Sequence, residues 1–164
     1  MDDSQCQTNA ERVVLSTIFD TRNLRLIRIL DEKDFTDPLH RVLLKAFKEL
    51  RQRDAPLEQA ALDSLLRTPD YENPQLKKKC GIRAGEMSMA AAAQLVLLEF
   101  KATENIEYYY RQIRLDRVRR SLLTLGSMII KKAREKPLDP MDTLKWVGKQ
   151  VARITKESGL DVKK

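Results

Sequence analysis

Few residues in this chain have the type and spacing to do chemistry. There is one histidine, His40, and there are two cysteines, Cys6 and Cys80. A single His with no second His, Cys or Asp at ligand spacing cannot build a zinc site. As a general base it would need an orienting partner. Its place, third after Asp37 and beside Arg41, reads as a local structural role in hydrogen bonding across the N-terminal part of the chain. Cys6 and Cys80 have neither disulfide-framework nor metal-pair spacing and read as free thiols in a reducing compartment. The carboxylate pairs Asp2-Asp3 and Asp31-Glu32 suit solvated ends and turns. A loop that cradles phosphates needs clustered glycines, then Lys and a hydroxyl residue. The one Gly-Lys pair, Gly148-Lys149, is followed by Gln150 and has Thr143 where the first glycine should stand. No residue is therefore assigned to catalysis, to a cofactor or to a metal, and the chain does not read as an enzyme.

Charge offers a second kind of chemistry. Residues 1–100 carry 15 basic and 16 acidic side chains, whereas residues 101–164 carry 16 and 8, so the formal net charge of +7 belongs to the C-terminal stretch. Arg111, Arg114, Arg117, Arg119, Arg120, Lys131, Lys132 and Arg134 fall on one expected helix with only Asp116 and Glu135 among them. Such density can follow phosphates, with Tyr108, Tyr109 and Tyr110 as stacking faces. It can equally meet an acidic protein or simply face water. Arg111, Arg114, Arg117, Lys131 and Lys132 are the candidate contacts to a nucleic acid or acidic partner. At about 100° per residue, however, Arg111, Arg114, Arg117, Lys131 and Arg134 do not make one continuous stripe.

The elements that must position these groups are helices. At 164 residues the chain has the length of one domain, with only six Pro, five Gly and nine aromatic residues, few for a turn-rich β fold. No apolar run approaches the ~18 residues of a membrane span, and the polar, acidic N-terminus is unlike a signal peptide. The expectation is a cytoplasmic protein with no membrane partner. Thr8 and Glu11 suggest a capping box opening a helix over about Asn9 to Phe19. A short helix follows from Asn23 to Leu30. Asp37 and Pro38 are cap and first residue of a third, carrying Leu39, Leu43, Ala46, Phe47 and Leu50 inward. Pro56 opens a fourth that ends at Thr68-Pro69. Asn73-Pro74 starts a short helix closed by Gly81, and Met87 to Phe100 is a helix whose alanines suit close packing.

After Asn105 a pattern without Pro runs to Lys136, and the turn Pro137-Leu138-Asp139-Pro140 leads into a last helix. Leu115, Val118, Leu122, Leu125 and Ile129 recur at alternating spacings of three and four, and Leu144, Val147, Val151 and Ile154 repeat the pattern. Two such seams joined by a short turn predict an antiparallel hairpin held by Leu122, Leu125, Ile129, Val147, Val151 and Ile154. The expected fold is all-α: a compact helical head at 1–102, a long antiparallel helical hairpin at 103–158 and a tail or start of a linker at 159–164. Leu123, Met128 and Ile130 cannot all face the returning helix and are the candidate surface for a second copy.

With these elements in order, the sequence resembles the N-terminal domain of DnaB-type replicative helicases. The likeness runs through Asn9, Glu11 and Val13-Val14-Leu15, then Asp34-Phe35, His40-Arg41, Ala46-Phe47 and Leu50. It resumes at Asn105, Glu107, Tyr108-Tyr109, Ile113 and Arg120-Ser121-Leu122. The chain departs from the family at Pro56-Leu57-Glu58, where Pro-Ile-Asp is usual, and over Glu86 to Phe100, where Gly-Gly and Tyr-Leu are usual. The resemblance implies a noncatalytic domain of DNA replication, because the family's ATPase domain is missing from these residues. It also implies dimers made through the hairpin, assembly into a collar as a trimer of dimers, and docking of the helicase-binding domain of primase. Two rival readings stand beside it. One is a single-stranded DNA binder acting through the basic hairpin; the other is a collar mimic that inhibits or loads a replicative helicase.

Overall fold

The computed structural model describes residues 3–99, 104–134 and 139–158. Eight α-helices and one 3-10 turn make up the regular structure among them, with no strand. They are α1 (Asp3–Thr21), α2 (Leu24–Ile29), the 3-10 turn (Glu32–Asp34), α3 (Pro38–Gln52), α4 (Gln59–Leu66), α5 (Pro74–Lys79), α6 (Met89–Glu99), α7 (Ile106–Arg134) and α8 (Pro140–Ser158). The fold is all-α, as the periodicity predicts. No described helix is long and apolar enough to cross a membrane.

The chain forms two compact units, Met1–Ile113 and Arg114–Lys164. Their boundary lies inside α7, later in the chain than the expected limit of the head at residue 102. The cause is the apolar side of the first α7 turns: Ile113 is part of the core of the first unit, and Ile106, Tyr109 and Tyr110 pack against that core.

In the first unit the core is filled by Val14, Leu15 and Ile18 of α1, Leu43, Leu44 and Phe47 of α3, Leu62 and Leu66 of α4, and Met89 and Ala93 of α6, all fully buried. Burying one such Leu or Phe stabilises the fold by about 1.5–3 kcal/mol. The alanines of α6 act as expected: Ala90, Ala92 and Ala93 are buried, which lets α6 pack against α1 and α4. Ser16 Oγ reaches the Val96 carbonyl at 3.4 Å and Gln94 donates to Asp63 at 3.0 Å, so the apolar contact has polar stitches at its margin.

Helix boundaries follow local chemistry. Asn23, Asp37 and Asn73 accept hydrogen bonds from the first-turn amides of α2, α3 and α5. Pro38 and Pro74 take first-turn positions, where a missing N–H costs nothing. Gly81 closes α5 at φ +74°, with the Gly81 amide bonded to the Lys78 carbonyl and the Ile82 amide to that of Lys77. That is a Schellman closure, which favours glycine because a side chain strains the left-handed backbone.

Two expectations at helix starts are overturned. The capping box expected at Thr8 and Glu11 does not form, because α1 already begins at Asp3 and both residues lie inside it. A capping box exists instead at the 3-10 turn, between Asp31 and Asp34. Pro56 does not open α4 either; the helix begins at Gln59 behind Glu58, which makes no side-chain cap. The predicted turn residues Pro137 and Leu138, together with Phe100, Lys136 and the 159–164 tail, lie outside the described residues.

Candidate functional site

The second unit is a helical hairpin built from α7 and α8. Arg117 pairs with Glu157 at 3.5 Å, Arg114 reaches the Glu157 carbonyl at 3.4 Å, and the Lys132 ammonium lies 5.1 Å over the Trp146 ring. As the number rises on α7 it falls on α8, the register of an antiparallel pair. Asp139 starts the return helix by accepting from the Met141 amide at 2.9 Å, with Pro140 behind it.

Six residues were expected in the seam. Leu125 is buried and Ile129, Val147 and Ile154 are half-buried, whereas Leu122 and Val151 are 49 % and 44 % exposed. Leu144, given to the same stripe by its spacing, is also exposed. The seam is narrower and rotated from the expected one. On α7 it runs through Val118, Ser121, Leu125 and Ile129, and on α8 through Thr143, Val147, Gln150 and Ile154. Two helices touch along only one narrow strip, which leaves Leu122 and Val151 outside it.

The excluded apolar residues form a pattern of their own. Around α7, Leu122, Leu123, Gly126 and Ile130 are centred roughly 110° past the seam in the direction of rising residue number. Around α8, Met141, Leu144, Gly148 and Val151 are centred roughly 110° past its seam in the same sense. In an antiparallel pair of right-handed helices, equal rotations in that sense lead to the same face of the hairpin. The large members of both stripes are exposed, Leu123 at 73 % and Leu144 at 63 %. The α7 stripe contains Gly126 and the α8 stripe contains Gly148, and a Cβ on either would meet nothing within 4 Å.

Of the proposed contact surface for a second copy, Leu123 and Ile130 lie on this face. Met128 is exposed as well, but roughly 140–160° away from them around α7, on the other side of the seam. Sequence reading missed Met141, Leu144, Val151 and the two glycines as one surface. The signal that could have found them is a second stripe repeating at i, i+4 and i+7 or i+8 on both helices, at the same offset from the seam.

The five candidate phosphate contacts scatter. Arg111 and Lys131 are exposed, while Arg114, Arg117 and Lys132 serve the hairpin's own contacts. Tyr109 and Tyr110 pack against the core of the first unit, and Tyr108 alone of the three is exposed, edge-on to Tyr109.

The first unit carries most of the residues behind the family resemblance, and the geometry of those around Glu11 and His40 is structural. Glu11, fully buried in α1, accepts the Thr36 amide at 2.6 Å, the Asp37 amide at 3.3 Å and His40 Nδ1 at 2.7 Å. One carboxylate thereby ties α1 to the start of α3. Arg41 Nε donates to the Phe35 carbonyl at 2.8 Å, closing the same corner. His40 is wholly buried and its Nε2 has no hydrogen-bond partner, so it is out of reach of any substrate. Among the described residues no group of His, Cys, Asp and Glu could hold a metal ion.

The family model of the DnaB-like helicase N-terminal domain matches residues 3–115 of the chain, a span that contains the Glu11–His40 corner and nearly all of the first unit. No curated protein matches the chain.

Proposed function

Because the chain belongs to the DnaB-like helicase N-terminal domain family, we propose that it is a noncatalytic assembly and docking module of DNA replication. Copies associate through the apolar face of the hairpin into a dimer or a larger collar, and the assembly receives the helicase-binding domain of a primase. The observation that carries the assembly half is the shared apolar face of α7 and α8, with Leu123, Ile130, Leu144 and Val151 exposed on it. A single copy leaves that face in water, and a second copy covers it without needing any other partner.

Sedimentation velocity tests the assembly. The chain is expected to sediment as a dimer or larger species, and L123D/I130D as a monomer with unchanged helicity by circular dichroism. Unchanged assembly of the double variant overturns the interface. The docking half is tested by calorimetric titration with a primase helicase-binding domain: saturable heat supports it, and its stoichiometry reports how many copies build one site. A flat titration with an intact oligomer removes primase as the partner and leaves the assembly role.

A further inference from the structure

The first unit holds a cavity of about 590 Å³ between α5 and the loop that follows it, within the size range of ligand and peptide-anchor pockets. Its walls are mostly apolar: Pro74, Ile82 and Ala84, widened by Gly81 and Gly85, which have no side chains and sit at φ +74° and +77°. Its rim is cationic. Lys78 and Arg83 line it, and neither pairs with a carboxylate among the described residues. The one acid in the wall, Glu72, is already engaged, accepting the Met89 amide at 2.7 Å and Lys77 at 3.0 Å. The nearby Glu86 carboxylate accepts the Arg83 amide at 3.1 Å.

A purely solvated basic stretch would need no cavity, and a core defect would not be ringed by unpaired cations. We propose that this cavity is a docking site for an acidic peptide that bears a bulky apolar side chain, contributed by a partner protein. The apolar side chain enters between Pro74, Ile82 and Ala84. Its flanking carboxylates meet Lys78 and Arg83. Charge complementarity selects the occupant, because a basic or neutral apolar segment would leave the rim cations facing like charge or nothing. The site lies in the first unit and does not depend on the hairpin's assembly.

Fluorescence anisotropy on the full chain tests this with three labelled probes: a peptide of alternating Asp and Leu ending in Phe, a control of alternating Asp and Ser, and a single-stranded oligonucleotide of equal charge. The first is expected to bind saturably and more tightly than either of the others. K78E and R83E should each weaken it about tenfold, the weight of one charge-assisted contact, while R28E/R51E, at a separate cleft of the first unit lined by Ile27, Arg28, Lys48, Arg51 and Gln52, leaves it unchanged. Ala84→Trp, at an exposed loop position, should fill the cavity and abolish binding with helicity unaltered. Equal binding of the Asp-Ser control, tighter binding of the oligonucleotide, insensitivity to K78E and A84W, or no saturable binding of the first peptide each overturns the site.

Discussion

Glu11 illustrates how much one residue can carry in a fold of short helices. Its carboxylate satisfies two amides at the start of α3 and the Nδ1 proton of His40, all shielded from water. Glu11→Ala is expected to destabilise the first unit by about 3 kcal/mol, the cost of stripping one partner from a buried charged network. Urea midpoints with an unchanged denaturant slope measure it, and Glu11→Gln should cost less because the amide oxygen still accepts. Glu72 makes a second prediction. Burial works against its charge, but the Met89 amide and Lys77 outweigh it and hold its carboxyl below the ordinary range. A lowered folded pKa gives stability that is present above the unfolded value and lost as pH falls through the folded one. Wild type should therefore lose stability below about pH 4.5 more steeply than Glu72→Gln, as thermal melts between pH 6 and pH 3 would show. His40 was legible as a structural hydrogen-bonder. Its partner was not, because Glu11 lies 29 residues away and its spacing from Thr8 imitates a capping box.

Among the elements, those with strong local chemistry were legible to within a residue or two: α3 behind Asp37 and Pro38, α5 between Asn73 and Gly81, and α8 behind Asp139 and Pro140. Gly81→Ala should cost about 1 kcal/mol from the left-handed backbone alone, since a Cβ there meets no atom within 4 Å. The hairpin helices separate two effects that usually move together. Gly126→Ala or Gly148→Ala removes an interior helical glycine and should raise the melting temperature of the monomer, each by up to about 1 kcal/mol of helix propensity. The same changes add a methyl group to the apolar face and should weaken self-association where a second copy packs closely against those glycines, read by the dissociation constant from sedimentation equilibrium. Tighter association of the variants would mean that a second copy does not approach there. The rotation of the seam was beyond sequence reading for a physical reason. A stripe of apolar residues wider than one helix contact gives no internal sign of which part meets the partner helix.

At the scale of the whole chain, the two units have unequal means of stability. The first encloses a core of buried side chains from α1, α2, α3, α4, α6 and the start of α7, whereas the second rests on one narrow seam and leaves an apolar face exposed. Thermal unfolding followed by circular dichroism should show two transitions, the lower one rising with protein concentration if assembly covers the hairpin face. One concentration-independent transition would count against it. By itself the sequence determined the helical class, most helix starts and the family, because these depend on local capping, on period and on motifs in order. Only the tertiary structure decided that α7 is shared between the two units, that Glu11 serves α3, and that Leu122, Leu144 and Val151 join a second face while three cations turn to hairpin contacts. Those outcomes depend on which surfaces meet across tens of residues, and a periodic pattern records that a face is apolar without recording what covers it.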